Sequence, residues 1–211
     1  MKLQPTVWLG AFFVLLVFGV PAMATEEPTF AASLKEGAFE VRSYPALVAA
    51  QVTVTGTRDE ASTAGFKLLA GYIFGGNTRR QSIAMTAPVV QAKAGSETIA
   101  MTAPVIQTGV PGQSGEWTVR FIMPAGYTLD TLPTPNNPKV QLMPLPPARF
   151  AAVTFSGLAH EDDVALRTAE LKAYMAAHAL QPIGPPALAR YNPPWTLWFM
   201  RRNEVLIPIA P

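Results

Sequence analysis

Alternating and helical patterns of apolar residues divide the chain into strands and helices. Residues 40–55 are rich in β-branched and aromatic residues, which indicates one long strand with a bulge at Pro45. The run Thr57-Arg58-Asp59-Glu60 has the residue types of a capping box, so a helix is expected to start there. This first helix should end near Phe74, because Gly75-Gly76 suits the left-handed conformation that often terminates helices.

The apolar arc of this first helix is wider than a single packing stripe, since it covers more than half of the circumference. A helix of that kind is buried on two sides or keeps one flank for a ligand. We expect the sheet to cover the centre of the arc. The residues of the arc are Gly65, Phe66, Leu68, Leu69, Ala70, Tyr72 and Ile73.

The second half of the chain repeats the element order of the first half. A strand at 149–155 precedes a helix that opens with the acidic run Glu161-Asp162-Asp163, which suits the positive end of a helix dipole. Strands at 187–191 and 204–209 follow. Mostly antiparallel strands with two helices predict an α+β domain. Further strands are expected at 117–123 and 140–145, a short element at 197–201, loops at 109–115 and 129–138, and an irregular lead-in at 30–39.

One heptapeptide, Ile-Ala-Met-Thr-Ala-Pro-Val, occurs twice, at residues 83–89 and 99–105. Residues 94–97 between the copies have the composition of a turn, so the copies are predicted to pair as antiparallel strands. Proline cannot donate a hydrogen bond to a neighbouring strand. We therefore expect an edge or a bulge at Pro88 and Pro104.

The first 24 residues have the features of a secretory signal peptide. Lys2 supplies a positive start, residues 7–20 are almost wholly apolar, and Ala22-Met23-Ala24 is a small-x-small cleavage signal. The alternative is an uncleaved membrane anchor. We predict an exported protein, periplasmic or secreted, that has no stable membrane span once the signal is removed.

Composition limits the function of the remaining chain. Lys2 is one of the 16 basic residues, so 15 basic and 14 acidic residues follow the signal, and this balance does not favour nucleic-acid binding. The 211-residue sequence contains no cysteine, which excludes disulfides and thiolate chemistry. No nucleotide loop or nucleophile motif is present. We expect a lead-in at 25–38 and a single domain at 39–211.

Motifs at the beginning, middle and end of the chain occur in one recognisable order. Phe39-Glu40-Val41-Arg42-x-Tyr44 comes first, and Gly75-Gly76-Asn77 precedes the double Met-Thr-Ala-Pro-Val. Tyr191-Asn192-Pro193-Pro194 and Arg201-Arg202-Asn203-Glu204-Val205 follow near the end. In this order, over about residues 39–209, they resemble the SOUL haem-binding protein family.

The resemblance implies a distorted antiparallel β-barrel made from two βαββ-type repeats and flanked by two α-helices, similar to gyrase-inhibitor-like proteins. It also implies non-covalent binding of haem or another tetrapyrrole, without catalytic activity. The tetrapyrrole would lie in an apolar groove beside the first helix, near residues 195–201. The expected role is capture, buffering or carriage of haem, with a haem donor or acceptor protein as a partner.

Four residues of the first helix are candidates for that groove. Phe66 and Ala70 favour ligand contact, because a planar macrocycle needs a flat aromatic ring beside a small residue. Thr63 extends the same flank. Ile73 either lies on this flank or packs in the core.

Four residues near the C-terminus are the other candidates for the groove. Trp195 and Trp198 flank Leu197 beside two prolines, where they form either a groove wall or lid, or part of the core. Arg201 follows this aromatic stretch directly. Its guanidinium suits a carboxylate such as a tetrapyrrole propionate.

Iron ligands are scarce in this sequence. Of the two histidines, His178 lies on the apolar face of the second helix, where it is either a core histidine or an axial ligand. Some other side chains are able to bind iron, but such residues usually pack in cores: Met85, Met101, Tyr72 and Tyr191. Because apolar burial contributes roughly 25 cal/mol per Å², a porphyrin is able to bind without any iron ligand.

Two other functions are compatible with the sequence. One is a promiscuous module for flat amphipathic molecules. The other is a hydrolase of the gyrase-inhibitor-like type, which would need a buried acid in the groove. Glu40, Glu60 and Glu204 are the acids to examine for that role.

Overall fold

Nine strands in one sheet and two α-helices make up the described part of the computed structural model, which covers residues 26–93, 115–192 and 195–211. The helices are α1 (Arg58–Ile73) and α2 (Glu161–Ala177), and a short 3₁₀ turn spans Trp198–Met200. The strands are β1 (Ala31–Glu36), β2 (Phe39–Tyr44), β3 (Leu47–Gly56), β4 (Val89–Lys93), β5 (Gly115–Ile122), β6 (Gln141–Leu145), β7 (Ala148–Ser156), β8 (Ala187–Arg190) and β9 (Arg202–Ile209).

The order of the strands shows the internal repeat. The sheet runs β1-β2-β7-β9-β8-β4-β5-β3-β6, and every pair of neighbouring strands is antiparallel. The units β3-α1-β4-β5 and β7-α2-β8-β9 have the same element order. Their strands follow one another in opposite order across the sheet, as β3-β5-β4 and β8-β9-β7, and the two units meet at the β4–β8 pair. The predicted α+β class and the two βαββ-type repeats are confirmed.

Closure of the predicted distorted barrel is not confirmed. Strands β1 and β6 lie at the two ends of the strand order, and no pairing joins them in the residues that the structure describes. The sheet is open there, with α1 packed on β3 and β5, and α2 packed on β7 and β9.

Residues 40–55 form two strands, so the prediction of one long strand is wrong. The chain breaks at Pro45-Ala46 between β2 and β3. Strand β2 pairs with β1 and β7, whereas β3 pairs with β5 and β6 on the far side of the sheet. Pro45 therefore marks a crossing between the two halves of the sheet, which the strand propensities on either side do not reveal.

The lead-in is also more regular than predicted. Residues 31–36 form β1, which pairs with β2 through a register that shifts once between Ala32 and Leu34. Glu26 forms an isolated bridge with Thr86. Residues 31–36 of the predicted lead-in are thus part of the sheet, and Glu26 contacts the chain next to β4.

The first copy of the repeated heptapeptide is strand only at its last residue. Strand β4 starts at Val89, and both of its sides are occupied, by β5 and by β8. The second copy, at residues 99–105, lies outside the described residues. The predicted pairing of the two copies therefore stays a prediction.

Helix α1 starts and packs as its sequence predicts. Thr57 and Glu60 form both bonds of the capping box, and Gly75 adopts φ +106° after the helix. Gly65 faces Val119 of β5 so closely that a Cβ atom there would lie 2.6 Å from a Val119 methyl. This close approach sets α1 directly on the sheet, over a core that includes Leu69 and Phe121.

Two core clusters correspond to the two repeats. Under α2, Leu171 and Met175 pack with Val205 and Ile207 of β9. Among the described residues, neither helix is long and apolar enough to cross a membrane. The predicted signal peptide, residues 1–24, lies outside the described residues, so the cleavage and export expectations stay predictions.

Candidate functional site

The segment between β8 and β9 presents large apolar side chains to solvent. We call residues 195–200 the aromatic loop. Five of its six residues are apolar, and each is between 56% and 82% exposed: Trp195, Leu197, Trp198, Phe199 and Met200. A contiguous exposed apolar surface of this kind is typical of a binding site.

The aromatic loop has a defined internal structure. The amide of Met200 donates to the carbonyl of Leu197 (2.9 Å), closing the 3₁₀ turn, and the rings of Trp198 and Phe199 meet edge to face at 5.7 Å. Arg201 Nε donates to the carbonyl of Thr196 (2.8 Å). The short element predicted at 197–201 is therefore a turn, and the bond from Arg201 to Thr196 stabilises it.

Arg190 links the end of β8 to helix α1. Its Nη1 donates to Ser62 Oγ (2.7 Å), and its Nη2 forms an ion pair with Asp59 (3.2 Å). Arg190 is the last residue of β8, and the segment that leads to the loop begins there. No sequence pattern points to Arg190, because one arginine at a strand end carries no local signal.

The structure separates the four candidates on α1. Thr63 is exposed, and Phe66 and Ala70 are half-buried, with the Phe66 ring 5.4 Å from that of Phe121. Ile73 is only 1% exposed and belongs to the core. Ile73 therefore takes the core alternative, and its side chain is not open to a ligand.

A cavity of about 560 Å³ lies beside α1, but on a different flank from these candidates. It is bounded by Leu68 and Gly71 of α1 and by the loop residues 136–138. Tyr72 closes its inner side, where the hydroxyl donates to the carbonyl of Pro133 (2.9 Å), and burial raises the pKa of this tyrosine to about 12. That hydroxyl is already used in holding the loop.

His178 has a structural role, which argues against the axial-ligand alternative. Nδ1 lies 2.9 Å from the carbonyl of Tyr174, and Nε2 lies 3.2 Å from a carboxylate oxygen of Glu36. Both oxygens only accept hydrogen bonds, so the ring satisfies both contacts when each nitrogen carries a proton. The carbonyl of Tyr174, and then Glu36, raise the pKa of His178. Neither nitrogen is available to iron in this arrangement.

The motif residues near the two ends of the chain meet in one buried cluster. Glu204 is 1% exposed and accepts hydrogen bonds from Arg42 (2.6 and 3.0 Å), Tyr191 (2.6 Å) and Thr154 (3.2 Å). Arg202 lies over the Tyr191 ring at 3.6 Å. Burial, and then Glu204, raise the pKa of Tyr191. The phenol is therefore a neutral donor to Glu204 and is not positioned to bind iron.

The Gly-Gly-Asn motif is also structural. Asn77 is completely buried, its Nδ2 donates to the carbonyls of Tyr72 (3.1 Å) and Gln81 (2.7 Å), and its Oδ1 accepts from the amide of Gln81 (3.0 Å). A Cβ at Gly76 would lie 2.5 Å from the carbonyl oxygen of Gly71. The motif therefore closes the turn after α1.

The acids singled out for hydrolysis all have partners. Burial raises the pKa of Glu40, but its bonds to Lys35 and Arg42 outweigh burial, and the net shift is downward. The backbone amide of Thr57 lowers the pKa of Glu60 within the capping box. Glu204 lies in the cluster described above. Glu40 and Glu60 therefore lack the raised pKa that such a role requires.

Comparison with known families agrees with the motifs. The family profile described as SOUL heme-binding protein matches residues 25–208, nearly the whole chain. The chain belongs to the SOUL heme-binding family. Its membership indicates haem or tetrapyrrole binding as the family function. The match includes the segment from residue 25 onward, which agrees with the place of β1 in the sheet. No curated protein matches the chain.

Solved structures share the fold of this SOUL-family chain at low identity. The C-terminal domain of EcmrR superposes with a TM-score of 0.57 at 8% identity, covering 86% of this chain and 98% of that domain. A conserved protein from Listeria innocua gives 0.55 at 12% identity, over 82% and 92% of the two chains. A structure described as a hydrolase from Listeria innocua gives 0.53 at 11% identity, over 84% and 94%. At these identities the likeness shows the fold alone.

Proposed function

We propose that this protein binds haem or a related tetrapyrrole non-covalently on the aromatic loop, next to the first turns of α1. The observation that carries the proposal is the exposure of Trp195, Trp198 and their apolar neighbours in a member of a haem-binding family. Thr63 and Phe66 of α1 complete the proposed site, and Arg190 ties the end of β8, from which the chain leads to the loop, to the same helix.

The proposed binding depends on apolar burial. At roughly 25 cal/mol per Å², covering about 330 Å² of apolar surface supplies the roughly 8 kcal/mol of a micromolar complex, before the costs of association are subtracted. Several large side chains and one face of a macrocycle supply an area of this order. Since His178 is engaged elsewhere, the residues present fit hydrophobic capture of the macrocycle better than coordination by histidine.

Arg201 has a supporting position in this proposal. Its Nε is bonded to the carbonyl of Thr196, so the guanidinium is fixed beside the aromatic side chains. A propionate at the edge of a bound tetrapyrrole would lie near this positive charge. Replacing Arg201 therefore affects both the conformation of the loop and the charge next to the ligand.

Titration with hemin tests the proposal. Saturable growth of a shifted Soret band, with quenching of tryptophan fluorescence, is the expected result for the wild-type protein. The double variant Trp195→Ala/Trp198→Ala should bind at least about tenfold more weakly, which corresponds to 1.4 kcal/mol. Leu166→Ala and Ile183→Ala are matched controls, because these side chains are similarly exposed (55% and 53%) outside the loop. Equal affinity in the loop and control variants would refute the proposal.

The proposed cellular role is capture, buffering or carriage of haem outside the cytoplasm. It follows from the signal-peptide pattern at residues 1–24 and from a site that exposes its apolar surface to a partner. N-terminal sequencing of the protein from the outer compartment checks the export step. A mature N-terminus at residue 25 is expected, and an intact Met1 would favour the anchor.

A further inference from the structure

We propose that a second cavity, at the junction of the two repeats, binds a small apolar carboxylate that also carries a hydrogen-bond donor. The cavity measures about 350 Å³ and lies where strands β4 and β8 pair. It is covered by the start of α1 and by α2. Its main lining residues are Arg58, Gln91, Trp117, Val164, Leu188 and Val205.

The cavity exists because α2 presents small residues to it. Ala165, Thr168 and Ala169 line the α2 side and leave the space unfilled, whereas Leu171 and Met175 of the same helix are packed in the core. The volume is at the lower end of the range of about 300–1,000 Å³ for small-molecule pockets. It suits a single-ring compound rather than a macrocycle.

Arg58 supplies buried donors without acceptors. Its Nε and Nη1 are inaccessible to solvent and have no hydrogen-bond partner in the described part of the chain. The guanidinium lies 5.1 Å from the centre of the Trp117 ring, and burial lowers the pKa of Arg58. Arginine nevertheless stays charged in proteins, so buried unpaired donors are costly unless a ligand supplies an anion.

Gln91 supplies the complementary group. It is 4% exposed, and its Nε2 donates to the main-chain carbonyl of Arg58 (2.8 Å). This contact fixes the orientation of the amide, because the opposite orientation would place two oxygens together. Oε1 is left without a donor in the described residues. A ligand hydroxyl or N–H group would satisfy it.

The charges around the cavity favour an anion. Lys172 lies at its rim, and Arg190 is close enough to lower the pKa of Arg58. The negative charges of Glu161 and Asp59 raise the pKa of Arg58, but Asp59 is paired with Arg190. One carboxylate on the ligand therefore meets a net positive environment and pairs with the guanidinium through charge-assisted hydrogen bonds.

The apolar walls of the cavity favour a ligand with an apolar body. Trp117, Val164, Leu188 and Val205 are all buried side chains of the sheet and α2. Within these apolar walls, Arg58 and Gln91 supply the two polar groups that would orient the ligand. An aromatic monoacid with a ring hydroxyl matches both groups, and none of the lining residues belongs to the aromatic loop.

Calorimetry with four related probes tests this proposal: 4-hydroxybenzoate, benzoate, 4-hydroxybenzyl alcohol and 4-hydroxybenzylamine. On the full chain, 4-hydroxybenzoate should bind with a Kd below about 1 mM. Benzoate and the alcohol should each bind several-fold more weakly, and the cationic amine should not bind measurably. The indole N–H signal of Trp117 should shift in the NMR spectrum on binding.

Variants locate the site. Arg58→Met should weaken 4-hydroxybenzoate at least about tenfold, and Gln91→Leu should remove the preference over benzoate. Trp198→Ala, in the aromatic loop, should leave carboxylate binding unchanged, while Arg58→Met should leave hemin binding unchanged. These crossed controls separate the two sites. Binding of the amine as tightly as the acid, or no loss in folded Arg58→Met, would overturn the proposal. If Arg58→Met does not fold, the probe series on the wild-type protein decides.

Discussion

Arg42 and Glu204 form a bidentate ion pair across two strands that β7 separates in the sheet, with N–O distances of 2.6 and 3.0 Å. They belong to the first and the last sequence motifs and are 162 positions apart. Both side chains are almost wholly buried. Burial lowers the pKa of Arg42, but Glu204 outweighs burial and raises it above the ordinary value. The pair therefore ties the N-terminal strands to β9.

Replacing one partner of this pair should be strongly destabilising. Arg42→Met leaves the Glu204 carboxylate buried without its main counter-ion, which typically costs about 3–5 kcal/mol. Tyr191 and Thr154 still donate to Glu204, so we expect a value near the lower limit. Urea unfolding followed by tryptophan fluorescence measures this loss.

The double variant Arg42→Met/Glu204→Leu is the matched control. Removing both charges should recover a large part of the stability, because an apolar pair needs no desolvation of ions. A double variant as unstable as the single one would show that the packing of Arg42, and not its charge, matters. A loss below about 1 kcal/mol in the single variant would contradict the prediction.

Local sequence signals predict the helices and most strands of this fold. Thr57 and Glu60 identify the start of α1, and the alternation of Trp117, Val119 and Phe121 identifies β5, because each signal acts over a few residues. The crossing at Pro45 is different. Strands β2 and β3 on either side of Pro45 have similar composition but pair with different partners. Local sequence patterns do not determine which distant strands pair.

The candidate site is predictable only in part. The tryptophans of the aromatic loop stand out in the sequence, and the structure finds them exposed. Arg58 and Gln91 do not stand out. Their unpaired atoms come together only because α1 and β4 approach each other in the folded chain. Similarly, the motif residues Arg42 and Glu204 turn out to stabilise the sheet.

The contact between Gly65 and Val119 predicts opposite effects of two glycine replacements in α1. Gly65→Ala puts a methyl group within 2.6 Å of a Val119 methyl, and overpacking of this kind costs about 1–3 kcal/mol. Gly71→Ala meets nothing within 4 Å and should stabilise the helix by up to about 1 kcal/mol. Thermal unfolding of both variants gives the comparison. Similar midpoints for the two variants would contradict this account of the packing.

The contacts of His178 predict a pH dependence of stability. The carbonyl of Tyr174 and the carboxylate of Glu36 raise the folded-state pKa of His178 above its ordinary value of 6.5. Protonated His178 therefore contributes its full stabilisation of the folded state below pH 6.5. This contribution is lost as the pH rises through the raised folded-state pKa. The difference in urea midpoint between wild type and His178→Gln should shrink as the pH rises from 6.5 to above the folded-state pKa of His178. Glu36→Gln should reduce the difference at low pH, and a difference independent of pH would exclude this role.

Hydrophobic capture predicts that iron contributes little to tetrapyrrole affinity. Metal-free protoporphyrin presents the same apolar face and propionates as hemin, so the two should bind within about threefold of each other, a difference of about 0.65 kcal/mol. His178→Ala should leave the hemin spectrum and affinity unchanged, because both ring nitrogens have protein partners. Trp195→Ala/Trp198→Ala should weaken both ligands by the same factor. A hundredfold preference for hemin, or a changed Soret band in His178→Ala, would instead show that the iron is ligated and that the loop is secondary.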